Sequence, residues 1–218
     1  MSKADQAPCP LCHSSVVTDF YEDKHRPYLQ CGQCDLVFVP PAFYLSSVQE
    51  KAEYDLHDNQ VDDAGYRKFL SRVWTPLAEK LSANSHVLDF GCGPGPALAA
   101  MMKEAGMKVS LYDHFYYPNP KVLIEAGYHG ITATEVIEHL HTPDKVFASW
   151  VDMLKPNGWL AVMTKLVKDQ SSFANWHYKN DRTHVCFFSQ QTFRWLADRH
   201  GLTLTFHGND VMLFNKPT

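Results

Sequence analysis

Val87-Leu88-Asp89-Phe90-Gly91-Cys92-Gly93-Pro94-Gly95-Pro96 is the stretch whose reading decides the fold. The run His86-Val87-Leu88-Asp89-Phe90, apolar but for its first residue and its penultimate acid, predicts a strand over residues 86–90, and the glycines after it predict a tight turn. Pro96 suits the first turn of a helix over residues 97–105, and Gly106 suits its carboxyl cap. A second strand follows over residues 108–112. Asp113 stands at its end, about twenty residues beyond the glycines, where a carboxylate reaches ribose hydroxyls in nucleotide-binding sheets. A dinucleotide site requires G-x-G-x-x-G, but the position of the third glycine is Pro96 and the third glycine itself is Gly95. Asp89 directly before the turn would also repel a pyrophosphate and attract an ammonium or sulfonium group.

S-adenosylmethionine carries both of those cations. The residues from Val87 to Gly95 resemble the first motif of class I S-adenosylmethionine-dependent methyltransferases, and Asp113 matches that family's second-strand acid. The resemblance implies an α/β, Rossmann-like sheet, largely parallel with a terminal antiparallel hairpin. It implies a cofactor site at Asp89, Gly91, Gly93, Gly95 and Asp113, with Tyr66 contributing from the preceding helix. The remaining pattern agrees over roughly residues 60 to 218. Residues 64–81 predict a helix that Pro76 would kink or divide, residues 130–134 a strand, residues 143–154 a helix and residues 159–166 a buried strand. Residues 202–206 and 211–215 predict the hairpin. One departure is that only twenty-two positions separate Asp113 from Glu135, where the family fits a helix, a strand and an adenine-contacting acid. Phe115, Tyr116, Tyr117 and Pro118 are candidates to pack around the adenine instead.

Thr134-Glu135-Val136-Ile137-Glu138-His139-Leu140 follows the fourth strand. Were this segment helical, Glu135, Glu138 and His139 would share one face and offer hard ligands to a divalent cation. The sequence resembles the E-x-x-E-H of ubiquinone-pathway O-methyltransferases and small-RNA 2'-O-methyltransferases, in which such residues hold a magnesium-like ion. Asp181-Arg182-Thr183-His184 is similar to the loop that supplies a further ligand, so the resemblance implies Mg2+ at Glu135, Glu138, His139 and His184. The competing reading makes the acids complements of a helix dipole and His139 a hydrogen-bonded wall residue. In either functional version the acceptor must lose a proton, to His139 as general base or with the help of the ion. Residues 171–184, with Phe173, Trp176, His177 and Tyr178, read either as a substrate lid or as a long loop packed on the sheet.

Cys9-Pro-Leu-Cys12 and Cys31-Gly-Gln-Cys34 are two C-x-x-C pairs with eighteen residues between them, the spacing of a zinc ribbon closed by four thiolates. Four protein ligands leave no open position, so the expected role is structural. The module has too few apolar residues for a core of its own, and metal should supply much of its folding free energy. Cys92 and Cys186 are expected to be small apolar fillers.

Hydrophobic residues make up 45% of the 218 and charged residues 20%, which excludes a disordered chain. The division expected is a ribbon over residues 1–41, a linker over 42–62 and a methyltransferase domain over 63–218. The first residues lack the apolar stretch of a signal peptide and no window suits a membrane span, so a cytoplasmic protein is expected. The leading function is methylation of an oxygen on a small or carrier-borne metabolite. An RNA substrate is the first alternative, opposed by the ribbon's charge: Lys3, Lys24 and Arg26 face five carboxylates across residues 1–40. A non-catalytic, methyltransferase-like binding scaffold is the second.

Overall fold

The computed structural model describes residues 7–56, 60–124 and 127–218. Lys3 and Asp5 of the ribbon, part of the linker and part of the compressed stretch after Asp113 therefore lie outside the described residues.

Two sheets organise the chain. The larger has strand order β5-β4-β6-β7-β10-β9, built from β4 (His86–Phe90), β5 (Lys108–Tyr112), β6 (Tyr128–Thr134), β7 (Leu154–Met163), β9 (Thr203–His207) and β10 (Val211–Asn215). β4, β5, β6 and β7 run parallel, while β10 is antiparallel to both β7 and β9. This is the α/β sheet with a terminal reversed hairpin that the sequence predicts.

Period-two alternation builds a three-layer core from the central strands. Ala161 and Met163 of β7, with Val211 and Leu213 of β10, pack on α2 (Ala64–Ala78) and α3 (Ala97–Glu104) through Leu70, Val73, Leu77 and Met102. Leu160 and Val162, with Met212 and Phe214, face the opposite way onto α4 (Pro143–Met153) and α6 (Gln190–His200) through Phe147, Trp150, Phe193 and Leu196. Pro76 lacks the N–H that would bond Arg72 O, but it does not divide α2, because it lies in the last turn and the helix ends at Ala78.

The compressed region has a plain structural outcome. After β5 the chain makes a tight turn in which Asp113 and Tyr117 exchange backbone hydrogen bonds at 3.1 Å each. One 3-10 turn, Pro120–Leu123, then leads towards β6, which pairs on the far side of β4. No strand lies beyond β5 among the described residues, so β5 is an edge.

The smaller sheet has the order β1-β2-β3-β8. β1 (Val17–Glu22), β2 (Pro27–Cys31) and β3 (Val37–Phe38) come from the ribbon, but β8 (Cys186–Phe187) comes from near the carboxyl end. Val37 pairs with Phe187 and Phe38 with Cys186, and Val39 N donates to Val185 O at 2.9 Å. Above this sheet, Phe173 of α5 (Gln170–Ala174) is 1% exposed and meets Phe20, Tyr28 and Phe187 edge-on at 5.0 to 5.3 Å between centroids. Residues 171–184 are thus a packed segment, as the second of the two sequence readings holds. Between the ribbon and α2, α1 (Ser47–Tyr54) begins with a capping box between Ser46 and Gln49. Among the described residues, no helix is long and apolar enough to cross a membrane.

Because Phe173 joins ribbon strands β1 and β2 to β8 of the carboxyl-terminal part through its aromatic contacts, Phe173→Ala should cost the whole chain about 3–5 kcal/mol. A thermal melt is expected to stay a single transition, with its midpoint about 10 °C lower. Separate ribbon and sheet transitions would contradict the shared packing.

Candidate functional site

The glycine turn crosses from β4 to α3 with Gly91 at φ 72° and Gly93 at φ 63°, a region only glycine enters freely. A Cβ at Gly91 would overlap the side chain of Val136, so the glycine also permits the close approach of the segment after β6. Gly91 N donates to Tyr112 O at 2.7 Å, tying the turn to the end of β5.

Asp89 is 3% exposed and accepts from Thr132 Oγ1 at 2.7 Å. Burial pushes its carboxyl up to about 7, against a smaller opposing effect of the threonine hydrogen bond. A cationic ligand group beside it would favour the ionised form. Tyr66 lies close enough to feel this acid: burial first, then Asp89 and Glu135, raise its phenol to about 12. Asp113 is largely occupied by backbone. Its Oδ1 accepts from Phe115 N at 2.9 Å and Tyr116 N at 3.0 Å, and its Oδ2 accepts from Gly93 N at 3.0 Å. A carboxylate offers about four acceptor positions, so one remains on Oδ2. The aromatic run after it divides: Phe115 packs on Tyr54 and Tyr116 donates to Asp55, whereas Tyr117 and Pro118 line an open cleft of about 510 Å³ on the β5 edge.

The helix considered for residues 135–139 is not formed. Glu135 sits at φ 52°, a left-handed conformation that turns the chain sharply at the end of β6, and only Ile137–His139 makes one 3-10 turn. Glu135 and Glu138 therefore converge by another route. The Tyr178 hydroxyl lies 3.2 Å from Glu135 Oε2 and makes a short contact with Glu138 Oε1, with Thr164 Oγ1 at 3.1 Å. One hydroxyl has one proton, so Tyr178 donates to one of the two carboxyls, and the other can hydrogen-bond to the phenol oxygen only when it is itself protonated.

Glu138 is fully buried, and its Oε2 has no hydrogen-bond partner. Burial, then the neighbouring Glu135, pushes it up to about 8. Ligand atoms of Glu138, His139 and His184 all lie within 4.8 Å of one another, and the two imidazole centroids are 4.6 Å apart. Glu135 stands outside this trio and meets it through Tyr178. His184 Nδ1 lies 2.7 Å from Tyr178 O. Since a carbonyl only accepts, Nδ1 carries the proton, and Nε2, which lies 3.6 Å from Asp181 Oδ2, is the nitrogen whose lone pair can meet a ligand. α1 closes one side: Tyr54 meets His139 edge-on at 5.4 Å, and Glu50 pairs with His141 at 2.9 Å.

In the ribbon, Cys9 and Cys34 sulfurs are 3.5 Å apart and Cys12 and Cys31 sulfurs 3.3 Å, with all four within 4.8 Å of one another. These separations exceed a disulfide bond and suit thiolates around a zinc ion with Zn–S near 2.3 Å. Each C-x-x-C turn closes on a left-handed residue, His13 at φ 61° and Asp35 at φ 63°. Cys186 is fully buried with its thiol held well above the usual range, in keeping with a filler; Cys92 is half-buried with its thiol also raised by burial.

Residues around the cluster that sequence reasoning did not place there are Tyr178, which bridges two carboxyls, Tyr54, which packs on His139, and Arg26, whose hydrogen bonds reach the segment carrying His184. Tyr178 was visible only as one aromatic among several. Nothing in the spacing of Tyr54 or Arg26 signals these contacts.

A family model described as a methyltransferase domain matches residues 62–206. No curated protein matches the sequence. Among solved structures, an S-adenosylmethionine-dependent methyltransferase from Archaeoglobus fulgidus is 15% identical with a TM-score of 0.53, over 69% of this chain and 94% of that one. An O-methyltransferase family protein from Burkholderia thailandensis is 12% identical with a TM-score of 0.52, over 81% of this chain and 64% of that one. At these identities the likeness is one of fold.

The buried acid makes a signed prediction for the protein without added divalent cation. A folded-state pKa raised above the ordinary 4.5 means that the unfolded chain releases the Glu138 proton first as pH rises. Stability is then lost between about pH 4.5 and 8. Glu138→Gln removes this loss, so denaturant midpoints of the variant should rise relative to the native protein across that window. A difference independent of pH would contradict the raised pKa.

Proposed function

From the premise that this chain belongs to the methyltransferase-domain family and is an S-adenosylmethionine-dependent methyltransferase, we propose that its acceptor is an oxygen on a small or carrier-linked metabolite. The observation carrying this reading is the Glu138, His139, His184 cluster, with a buried carboxylate oxygen that has no protein partner. A hydroxyl acceptor must be deprotonated, and this cluster holds the groups that can do it.

When bound, S-adenosylmethionine supplies a methyl group on a sulfonium, leaving the protein to align the acceptor and remove its proton. Asp89, Gly91, Gly93, Gly95, Asp113 and Tyr66 are the proposed cofactor residues. The buried acid Asp89 favours a cationic group, the glycines allow close approach, and Asp113 retains one acceptor position. Glu138, His139 and His184 would hold a divalent cation that lowers the pKa of the acceptor hydroxyl. Two imidazoles and one carboxylate suit a first-row transition cation that accepts nitrogen ligands better than the Mg2+ implied by the four-residue set, and Mn2+ serves as its paramagnetic probe. Glu135 supports the cluster through Tyr178. With no ion bound, His139 is the proposed general base. Zinc is the proposed occupant of Cys9, Cys12, Cys31 and Cys34, in a structural role. The proposed ribbon, linker and methyltransferase divisions remain residues 1–41, 42–62 and 63–218.

Titrating Mn2+ into the zinc-loaded protein, followed by electron paramagnetic resonance, tests the ion. One site is expected, weakened about tenfold or more by Glu138→Gln and by His184→Ala, with Mg2+ a poor competitor. Absence of Mn2+ binding would remove the ion and leave His139→Ala turnover as the test of the base.

A further inference from the structure

We infer that Arg26, a ribbon arginine, is the positioning residue for the segment from Tyr178 to His184, so that the ribbon forms part of the active-site framework. The inference rests on the proposed role of the Glu138, His139, His184 cluster and assigns the ribbon a task in it.

Arg26 is 4% exposed, far from the usual surface placement of a guanidinium. Its two terminal nitrogens donate to backbone of one segment. Nη1 donates to Arg182 O at 2.9 Å, and Nη2 donates to Lys179 O at 3.0 Å and to Asp181 O at 2.9 Å. Nε donates to the Tyr28 hydroxyl at 3.1 Å, which in turn donates to Asp23 Oδ2 at 2.8 Å. The buried charge is thus linked to a carboxylate through a phenol, while the rigid fork gathers three carbonyls. A lysine cannot reproduce that geometry, since its ammonium is a single point of donation on a flexible stem.

The three carbonyls belong to the turn that cages His184. Asp181 O, held by Arg26, also accepts from His184 N at 3.3 Å, and the Asp181 side chain accepts from Thr183 N and Oγ1. Tyr178, directly before Lys179, contributes twice. Its carbonyl fixes the His184 tautomer, and its hydroxyl reaches Glu138. After the turn, Val185 N donates to Glu138 O at 2.8 Å, and β8 pairs with β3. The ribbon therefore grips this segment from one side by the Arg26 fork and from the other by a strand pair. A fork of donors converging on backbone carbonyls sets the position of a chain rather than stabilising a side chain. Here the chain positioned supplies a hydroxyl and an imidazole to the cluster.

The test uses zinc-loaded, full-length protein: native, Arg26→Lys and Arg26→Ala. Zinc per chain and S-adenosylhomocysteine affinity are expected to stay within about twofold, because neither site is touched. Amide exchange over residues 178–185 should accelerate about tenfold or more in both variants. Mn2+ affinity should fall about 10- to 100-fold. Millimolar ethylguanidinium should restore protection in Arg26→Ala, whereas ethylammonium should not. Unchanged exchange over residues 178–185 in Arg26→Ala would overturn the inference. So would a parallel loss of zinc, S-adenosylhomocysteine binding and protection throughout the chain, which would mark Arg26 as a general stabilising residue. If the native protein itself binds no Mn2+, the ion reading of the cluster fails by itself, and the exchange comparison still decides the role of Arg26.

Discussion

Two residues of antiparallel pairing, Val37–Phe38 of β3 against Cys186–Phe187 of β8, join the amino-terminal ribbon to the segment that carries half of the candidate site. A two-residue strand has little stability of its own, so its partner must be held rigid by something else. The four cysteines, with sulfurs within 4.8 Å of one another, are the proposed source of that rigidity when zinc is bound. Once β3 is fixed, β8 is fixed, and the backbone from Tyr178 to Val185 has both of its flanks determined. The Phe173 cluster and the Ser189–Asp35 hydrogen bond extend the same junction. His13 and Asp144 make a further tie between ribbon and α4 at 2.8 Å.

The other organising constraint is electrostatic. Asp89 near the end of β4 and Glu138 in the 3-10 turn after the neighbouring β6 are both buried, and both are pushed towards neutrality by desolvation. Burial of acids with so few partners is unfavourable to folding, and Glu135 adds a left-handed backbone at the same place. Such groups gain most from a cation arriving from outside. A sulfonium cofactor and a divalent ion are both cations, and each buried acid stands where one of them is proposed. Stability is given up at the site for affinity towards what it binds.

Much of this was legible in the sequence, for identifiable reasons. Gly91, Gly93 and Asp113 are read by spacing because backbone conformation and a strand end dictate them, and the C-x-x-C pairs because bringing four sulfurs together requires that spacing. The largely parallel sheet with its terminal reversed hairpin follows from alternating elements once the first motif is placed. The conformation of residues 135–139 was not legible: the helical i, i+3, i+4 pattern is present, but the need to turn sharply beneath Gly91 replaces it with a left-handed residue and a single 3-10 turn. Arg26 was invisible for a different reason. Its partners are backbone carbonyls more than 150 positions away, and carbonyls leave no trace in side-chain identity.

The central claim is that ribbon and site share one framework, and removing the metal tests it most directly. Hydrogen exchange would be followed with S-adenosylhomocysteine present, before and after zinc is stripped from the cysteines by a chelator. The account predicts that amides of His184 and Val185 lose protection together with those of β2 and β3, while β4 and β6 keep theirs. Retention of protection at His184 and Val185 while the ribbon exchanges freely would contradict it.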